Sequence, residues 1–403
     1  MENSPSYGFE LPMGWEVKSL NSLFSFKNGI NADKNSYGSG VKFINVMEVI
    51  NNEFITPDMI PGTVNISDNK KKQYIVRNGD VLFNRTSEVN DEIGLSSIYY
   101  GAEEVVFGGF VIHGKPLGNR INDLFKKYCF RIGFVRNQII KAGQGAVRSN
   151  IGQKDLQKVK VILPPLNEQI EIAKALTNWD RAIRKTSQLI EQKKLQKKWL
   201  MQQLLTGKKR LNRFSGEWRE HSLGDFFTER KETGFKDLEL LSVGQNGIYP
   251  QSESDKKDTS NSDKSKYKKI CPSDIGYNTM RMWQGRSALS SSTGIVSPAY
   301  TIVKPKKNAV SEYFAYLFKT PKIINLFWRN SQGLVSDTLN CKFKDFSIVK
   351  TKIPDKEEQK AIVNILRLAD EELQLLQSKL NQLKAQKRWL MQVLLSGKKR
   401  LNF

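Results

Sequence analysis

The side chains in this sequence that are best suited to bind another molecule are arginines, lysines and amides in polar turns. Arginine can donate two hydrogen bonds to guanine, and asparagine or glutamine can pair in the same two-point manner with adenine. Each of these residues could instead form a surface ion pair or hold a loop. The candidates for DNA contact are Lys70, Lys71, Lys72, Arg85, Arg148 and Asn150, followed by Lys266, Lys268, Lys269, Arg281, Gln284 and Arg286.

Catalytic chemistry has few candidates. His113 and His221 are far apart, and the three cysteines form no pair with the spacing of a zinc site. The sequence contains neither a Walker-type phosphate loop nor the Asn-Pro-Pro-Tyr type motif of adenine methyltransferases. We therefore expect no active site and no cofactor bound by this chain. Without a signal peptide or a long apolar run, the sequence predicts a soluble cytoplasmic protein with no membrane contact.

The charge of the chain predicts a polyanionic partner. Its 403 residues include 64 Lys and Arg against 41 Asp and Glu, a formal net charge of +23. Residues 161–212 and 351–403 together carry +12 of this charge. Such basic segments would neutralise phosphates along a duplex without reading bases, although lysines on an exposed helix can also serve only to keep it solvated.

The sequence contains an internal duplication of one unit. Residues 199–212 and 389–402 are identical at twelve of fourteen positions, at a constant offset of 190. The same offset relates Pro164, Glu168 and Gln169 to a second Pro-x-x-x-Glu-Gln sequence at 354–359. The segments that precede these repeats differ at almost every position. This pattern indicates two nearly identical elements, each attached to a variable domain.

The repeated segments predict long helices that pair with each other. Apolar residues recur at alternating spacings of three and four, which is typical of a helix packed against another helix. Thr186, Lys193 and Lys197 interrupt the pattern in the first copy, and Lys387 interrupts it in the second. We expect an antiparallel coiled coil whose seam includes Ile172, Leu176, Ile183, Ile190 and Ile362.

The variable segments predict mixed domains. Lys42–Val46, Val105–Ile112 and Tyr300–Val303 are strand-like, whereas Leu124–Ala142 and Glu312–Arg329 have helical patterns. The predicted fold is therefore two α/β (α+β) domains joined by two long antiparallel helices that form a coiled coil, with an internal pseudo-twofold duplication. The predicted segments are a first domain at 1–160, a first long helix at 161–212, a second domain at 213–350 and a second long helix at 351–403.

These motifs resemble those of the specificity subunits of type I restriction–modification enzymes, the HsdS family. The resemblance rests on the Pro-x-x-x-Glu-Gln helix starts, the Trp-Leu-Met-Gln-x-Leu-Leu-x-Gly-Lys ends, and the Gly-Asp-Val-Leu-Phe-Asn-Arg run at 79–85. The second domain departs from the last motif, because Ser273 stands at the position of Gly79 and Gly276-Tyr277 replaces Leu82-Phe83.

The resemblance implies a sequence-specific DNA-binding subunit without catalysis of its own. Each variable segment would be a target recognition domain that reads one half of a bipartite, asymmetric site, and the coiled coil would space the halves. The implied partners are double-stranded DNA, two methyltransferase (modification) subunits and motor–nuclease (restriction) subunits. S-adenosylmethionine, ATP and magnesium would act on those subunits of the DNA methylation and restriction complex. The alternatives are a coiled-coil adaptor or an unpartnered decoy subunit that binds nucleic acid non-specifically.

Overall fold

The computed structural model describes residues 11–143, 145, 148–235, 237–244, 247–253, 260–333 and 338–401. The chain divides into two compact units. Unit 1 comprises Met1–Thr186 and Lys379–Phe403, and unit 2 comprises Ser187–Ser378. Each unit therefore combines one variable domain with part of both long helices. The domain boundaries expected from the sequence remain a prediction.

Short strands and helices alternate in unit 1, and the first long helix follows them. The strands are β1 (Glu16–Ser19), β2 (Phe24–Asn28), β3 (Tyr37–Ile44), β4 (Phe54–Ile55), β5 (Thr63–Val64), β6 (Val81–Asn84), β7 (Thr86–Ser87), β8 (Ser96–Tyr99), β9 (Val106–Phe107), β10 (Val111–Pro116), β11 (Ser149–Asn150) and β12 (Lys160–Leu163). The helices are α1 (Val46–Asn51), α2 (Asp68–Tyr74), α3 (Asp123–Cys129), α4 (Gly133–Ala142), α5 (Gln153–Lys158) and α6 (Leu166–Leu204), the last of which continues into unit 2.

Unit 2 repeats this arrangement with fewer strands. The strands are β13 (Arg219–Ser222), β14 (Phe227–Glu229), β15 (Leu241–Gly244), β16 (Gly247–Pro250), β17 (Lys268–Ile270), β18 (Ile275–Asn278), β19 (Ser287–Leu289), β20 (Gly294–Val296), β21 (Tyr300–Pro305) and β22 (Lys350–Ile353). The helices are α7 (Ser311–Leu317), α8 (Pro321–Asn330), α9 (Phe343–Ser347) and α10 (Lys356–Leu394), the last of which continues into unit 1.

The same strand order recurs at the centre of both domains. In unit 1 the main sheet has the order β2-β10-β6-β8-β4, and in unit 2 it has the order β14-β21-β18-β19. Within these two sheets, pairing is antiparallel except between β4 and β8. In each domain the first strand pairs with the strand that precedes the long helix, β1 with β12 and β13 with β22. The mixed sheet and helix content agrees with the predicted α+β domains.

Both long helices are 39 residues long, about 60 Å at the usual rise per residue. In unit 1, Ile172 and Leu176 of α6 share the hydrophobic core with Leu394, close to the end of α10. In unit 2, Leu204 at the end of α6 shares the core with Ile362 and Leu366, close to the start of α10. Within each unit, the start of one helix thus packs on the end of the other. The antiparallel pairing predicted from the sequence is confirmed.

The lysines that interrupt the apolar pattern are paired with acids on the opposite helix. Lys193 contacts Glu372 at 2.7 Å, and Lys197 forms an ion pair with Asp370. Lys387 contacts Asp180 at 2.5 Å. Most of the other residues predicted to lie in the seam are buried. These are Ile172, Leu176, Thr186, Ile190 and Ile362, whereas Ile183 is half-buried.

Two expected helices are each divided. The run Leu124–Ala142 forms α3 and α4, separated where Ile132 adopts an extended conformation. The run Glu312–Arg329 is divided between α7 and α8 because Pro321 excludes the helical conformation of the residue before it, and Thr320 is extended. The strand expected at Lys42–Val46 ends at Ile44, since Asn45 and Glu48 form a capping box that begins α1. The run Val105–Ile112 bends between β9 and β10, and Tyr300–Val303 lies within β21.

Candidate nucleic-acid interface

The glutamine of each Pro-x-x-x-Glu-Gln motif attaches a long helix to its domain through two hydrogen bonds that we call the glutamine lock. The Gln169 side chain donates to the Pro164 carbonyl at 2.9 Å and accepts from the Asn122 N–H at 2.8 Å. Gln359 repeats both contacts with Pro354 and Val310 at 3.1 and 3.0 Å. Asn122 and Val310 are the N-cap residues directly before α3 and α7. Each lock therefore fixes the first turn of a long helix against a short domain helix.

The glutamate of the same motif forms what we call the glutamate clamp. In unit 2 the carboxylate of Glu358, which is 1% exposed, accepts two hydrogen bonds of 2.7 Å from Arg210 and one of 3.0 Å from Trp218. In unit 1, Glu168 binds Arg400 and accepts from Trp15 at 3.0 Å. The arginines belong to the repeated Gly-Lys-Lys-Arg sequences. The clamp thus joins the start of one helix to the tail of the other and to the first strand region of the domain.

The tails begin in the same way in both units. Gly207 and Gly397 follow α6 and α10 with positive φ angles of 70° and 77°, a backbone conformation that ends a helix and favours glycine. The N–H groups of Lys209 and Lys399 then donate to carbonyls six residues earlier, at 3.2 and 3.1 Å. This turn brings the following arginine into the clamp.

A third matched contact, the aspartate junction, lies further along each helix. Asp180 accepts from Tyr128 at 2.6 Å and contacts Lys387 and Lys127, both at 2.5 Å. Asp370 accepts from Tyr316 at 2.6 Å and pairs with Lys197. Burial opposes ionisation of Asp180, but the hydrogen bonds from its lysines and tyrosine outweigh this effect and hold its pKa below the ordinary value. The junction ties a domain tyrosine to both helices.

Besides the lock, the clamp and the junction, which we call the joints, each central strand leads into a short segment that we call the strand-end turn. In unit 1 it comprises Arg85 and Thr86, which follow β6. The Asn84 side chain accepts from the Thr86 N–H at 3.1 Å, and the Arg85 N–H donates to the Phe110 carbonyl at 2.9 Å. The Ile151 N–H donates to the Arg85 carbonyl at 3.0 Å. The turn is therefore held on both sides by backbone contacts.

Unit 2 builds the same turn from different side chains. It comprises Thr279 and Met280, which follow β18. The Asn278 side chain accepts from the Met280 N–H at 3.0 Å, and the Thr279 N–H donates to the Ala299 carbonyl at 3.2 Å. The Cys341 N–H donates to the Thr279 carbonyl at 2.9 Å. Contact for contact, Thr279 stands in the place of Arg85, Met280 in that of Thr86 and Ala299 in that of Phe110.

The structure brings together three of the candidates in unit 1. Pairing of β7 with β11 places Asn150 opposite Thr86, whose hydroxyl donates to the Asn150 side chain at 2.6 Å. Arg148 is exposed and pairs with Glu88. Arg85 is half-buried and donates to the Gly109 carbonyl at 3.2 Å. The other candidates in this unit lie on α2, where Lys70 and Lys72 are exposed and Lys71 pairs with Glu104 at 3.0 Å.

The candidates in unit 2 form two groups. Around the turn that follows β18, Arg281 is half-buried and Gln284 and Arg286 are exposed. On or just before β17, Lys266 is exposed, Lys268 donates to the Tyr300 carbonyl at 2.7 Å, and Lys269 lies over the Phe235 ring and near Glu232. Burial lowers the pKa of Lys268. The DNA contacts assigned to all twelve candidates remain predictions.

Sequence reasoning did not single out Thr279, Met280 and Phe110. Their positions could have been found by extending the match between Gly79-Asp80 and Ser273-Asp274, because the strand-end turn follows each motif at the same distance. The residue types themselves did not indicate these positions, because equivalent positions that carry different residues cannot be recognised by sequence identity.

Two matched aspartates and two buried cysteines have structural roles. The carboxylates of Asp80 and Asp274 each accept a backbone N–H from three residues earlier at 2.8 Å, which braces the turn before the central strand. Burial raises the pKa of the Cys129 thiol well above its ordinary value and that of Cys341 to about 12. Among the described residues no cluster of three metal-ligating side chains occurs, and none of the helices described is long and apolar enough to span a bilayer.

The chain is similar to type I restriction specificity proteins over nearly its whole length. The family model of the type I restriction modification DNA specificity domain matches twice, at residues 12–195 and 215–385. The protein of Methanocaldococcus jannaschii assigned as the type I restriction enzyme MjaX specificity subunit is 26% identical, covering 97% of this chain and 95% of the relative. The MjaVIII specificity subunit of the same organism is 22% identical over 98% of this chain and 96% of its own length.

Solved structures share the fold. The HsdS subunit of Thermoanaerobacter tengcongensis aligns with a TM-score of 0.56 at 15% identity, covering 98% of this chain and 99% of that one. The S subunit of M. genitalium aligns with a TM-score of 0.55 at 14% identity, covering 96% and 98%. A chain from a study of assembly and conformational transition of the type I R-M system reaches 0.62 at 15% identity, covering 97% and 100%. With its two matched domains, this chain belongs to the type I restriction modification DNA specificity domain family, a family of non-catalytic specificity subunits.

Proposed function

We propose that this chain is the DNA-recognition subunit of a type I restriction–modification complex and that it reads a bipartite, asymmetric target. Each domain would contact one half-site. The observation that carries the proposal is the combination of matched joints with unlike turns. The lock, clamp and junction recur in both units, whereas the strand-end turns present Arg85 and Thr86 in one unit and Thr279 and Met280 in the other. Two unlike readers on equivalent frames suit two different half-sites and not a palindrome.

Recruitment of catalytic subunits completes the proposal. Two methyltransferase subunits, which use S-adenosylmethionine to methylate adenine, would bind this chain, and an ATP- and magnesium-dependent motor–nuclease subunit would join them. These partners are inferred from the family. The basic charge of the long-helix segments, +12 over residues 161–212 and 351–403, supports phosphate contact along the duplex.

The test is selection of bound duplexes from a randomised pool by the full chain with its modification subunits. We expect one two-part sequence to be enriched, with affinity that falls as salt rises. Exchange of residues 213–350 for the corresponding domain of another family member should change one half of that sequence and leave the other unchanged. If every duplex binds equally at moderate salt, the chain is instead an adaptor or decoy that binds nucleic acid through charge alone.

A further inference from the structure

The strand-end turns of the two units share their backbone hydrogen bonds but present different side chains. In both, an asparagine at the end of the central strand accepts the N–H two residues later, at 3.1 Å from Thr86 and 3.0 Å from Met280. In both, a second asparagine, Asn150 or Asn340, directly precedes the residue whose N–H donates to the turn, Ile151 or Cys341. A fixed backbone with interchangeable side chains is what a reader of variable sequence requires, because the geometry toward a base edge stays constant.

The turn of unit 1 presents a positioned arginine. One terminal nitrogen of Arg85 donates to the Gly109 carbonyl at 3.2 Å, and within the described residues no carboxylate pairs with its guanidinium. Phe110 next to it is 58% exposed. A guanidinium that is held at one nitrogen keeps its other donors for a ligand, and arginine paired with O6 and N7 of guanine is the commonest specific contact in the major groove.

The turn of unit 2 presents no charge and leaves one acceptor unsatisfied. The Thr279 hydroxyl lies 2.8 Å from the Ala299 carbonyl and 3.1 Å from the Thr301 hydroxyl, so it is already used. Met280 is 45% exposed. Among the described residues, no donor reaches the buried side-chain oxygen of Asn340, whereas the equivalent oxygen of Asn150 accepts from the Thr86 hydroxyl. Methionine in the place of threonine has removed that donor.

We infer that the strand-end turns are the base-reading elements of this protein, and that they read different pairs. The turn of unit 1 reads a guanine through Arg85. The turn of unit 2 reads an A·T pair, with the exposed Met280 side chain against the thymine methyl group. This inference rests on the proposed function and adds the residues that determine specificity.

Lysines around the turn of unit 2 fit the same assignment. A cavity of about 560 Å³ is lined by Met280 and Asn340 together with Lys231, Lys268, Lys342 and Lys344. Glu229 is the one carboxylate in this lining, and it lies 3.5 Å from Lys231. Cations around an uncharged reading surface can hold the phosphates of a strand whose bases face the turn. They would add affinity without adding sequence preference.

The test compares sequence preference and not affinity alone. Variants Arg85→Ala and Met280→Thr are made in the full chain, and bound duplexes are selected with the modification subunits present. Arg77→Ala and Ile348→Ala, both at exposed positions outside the turns, are the matched controls. Thermal unfolding of each variant confirms that the fold is retained.

We expect Arg85→Ala to reduce discrimination for guanine about 5- to 150-fold at one position of one half-site. Met280→Thr replaces the long apolar side chain by a short one with a hydroxyl and should reduce preference for an A·T pair at one position of the other half-site. The controls should keep the wild-type sequence. An equal loss on all duplexes, or an unchanged preference in both variants, would overturn the inference while leaving the proposed function intact. Failure of the wild type to select any sequence would overturn both.

Discussion

The glutamate clamp of unit 2 allows its contribution to stability to be predicted from its geometry. Arg210→Met removes two charge-assisted hydrogen bonds of 2.7 Å and leaves Glu358, 1% exposed, with only Trp218 as a donor. Breaking a buried ion pair at one partner costs about 3–5 kcal/mol. Because the Arg210 side chain is itself 28% exposed, water can reach the space it leaves, and the lower end applies. We therefore expect the free energy of unfolding of unit 2 to fall by about 3 kcal/mol.

Urea unfolding followed by tryptophan fluorescence measures this loss, since Trp218 lies in the clamp. Lys208→Met is the matched control, because Lys208 is exposed two residues away in the same tail. The double variant Arg210→Met with Glu358→Gln should recover part of the loss, since a neutral amide can be buried without a counter-charge. A single variant as stable as Lys208→Met, or a double variant no more stable than the single, would show that the charge of Glu358 does not need Arg210.

The other predictions concern the seam, a turn and the aspartate junction. Leu380→Asp places a charge at a position that is 6% exposed and should cost about 3 kcal/mol or more and abolish sequence-selective binding, whereas Lys384→Asp on the exposed face should not; urea unfolding and duplex selection measure both effects. Ser273→Gly should raise the free energy of unfolding by about 0.5–1 kcal/mol in urea unfolding, because Ser273 adopts a left-handed conformation with φ 71°. Asp180, whose pKa is lowered in the folded state, contributes stability that is present above the pKa of the unfolded chain and is lost as pH falls through the folded value. Asp180→Asn should therefore flatten the fall in unfolding free energy that begins as the pH drops below about 5; an unchanged acid limb would contradict the assignment.

The long helices and their direction could be predicted from the sequence because they depend on periodicity. Residues spaced by three and four identified the seam, and the twofold repeat together with chain connectivity favoured an antiparallel pair. The apolar pattern showed Lys193 and Lys197 only as interruptions of the first helix. Their partners, Glu372 and Asp370, are distant in sequence and outside the apolar pattern, so nothing local could reveal the ion pairs.

The residues of the lock, clamp and junction recur as motifs in the sequence, but the sequence does not show which residues they contact. Glu168 and Gln169 recur at an offset of 190, yet the sequence does not show that one binds an arginine from the far end of the chain and the other a domain helix. The conformation at Ser273 was also uncertain from sequence, because serine seldom adopts positive φ. The structure gives it φ 71° beside the 86° of Gly79, so the surrounding turn imposes the conformation on serine.

The side chains that attach each domain to the long helices are alike in the two units, whereas those of the strand-end turns differ. Among the described residues, one set of side-chain contacts that join a domain to the helices recurs in both units: a tryptophan and an arginine on a glutamate, a glutamine on a backbone N–H, a tyrosine and a lysine on an aspartate. The strand-end turns, which make none of these contacts, share only their backbone frame. Under the proposed function, a substitution at Arg85 or Met280 would change the surface offered to DNA without disturbing a joint, since among the described residues no clamp, lock or junction residue forms a hydrogen bond or ion pair with either side chain. The target sequence could then diverge between the two halves of one chain while the attachment of both domains to the helices stays the same.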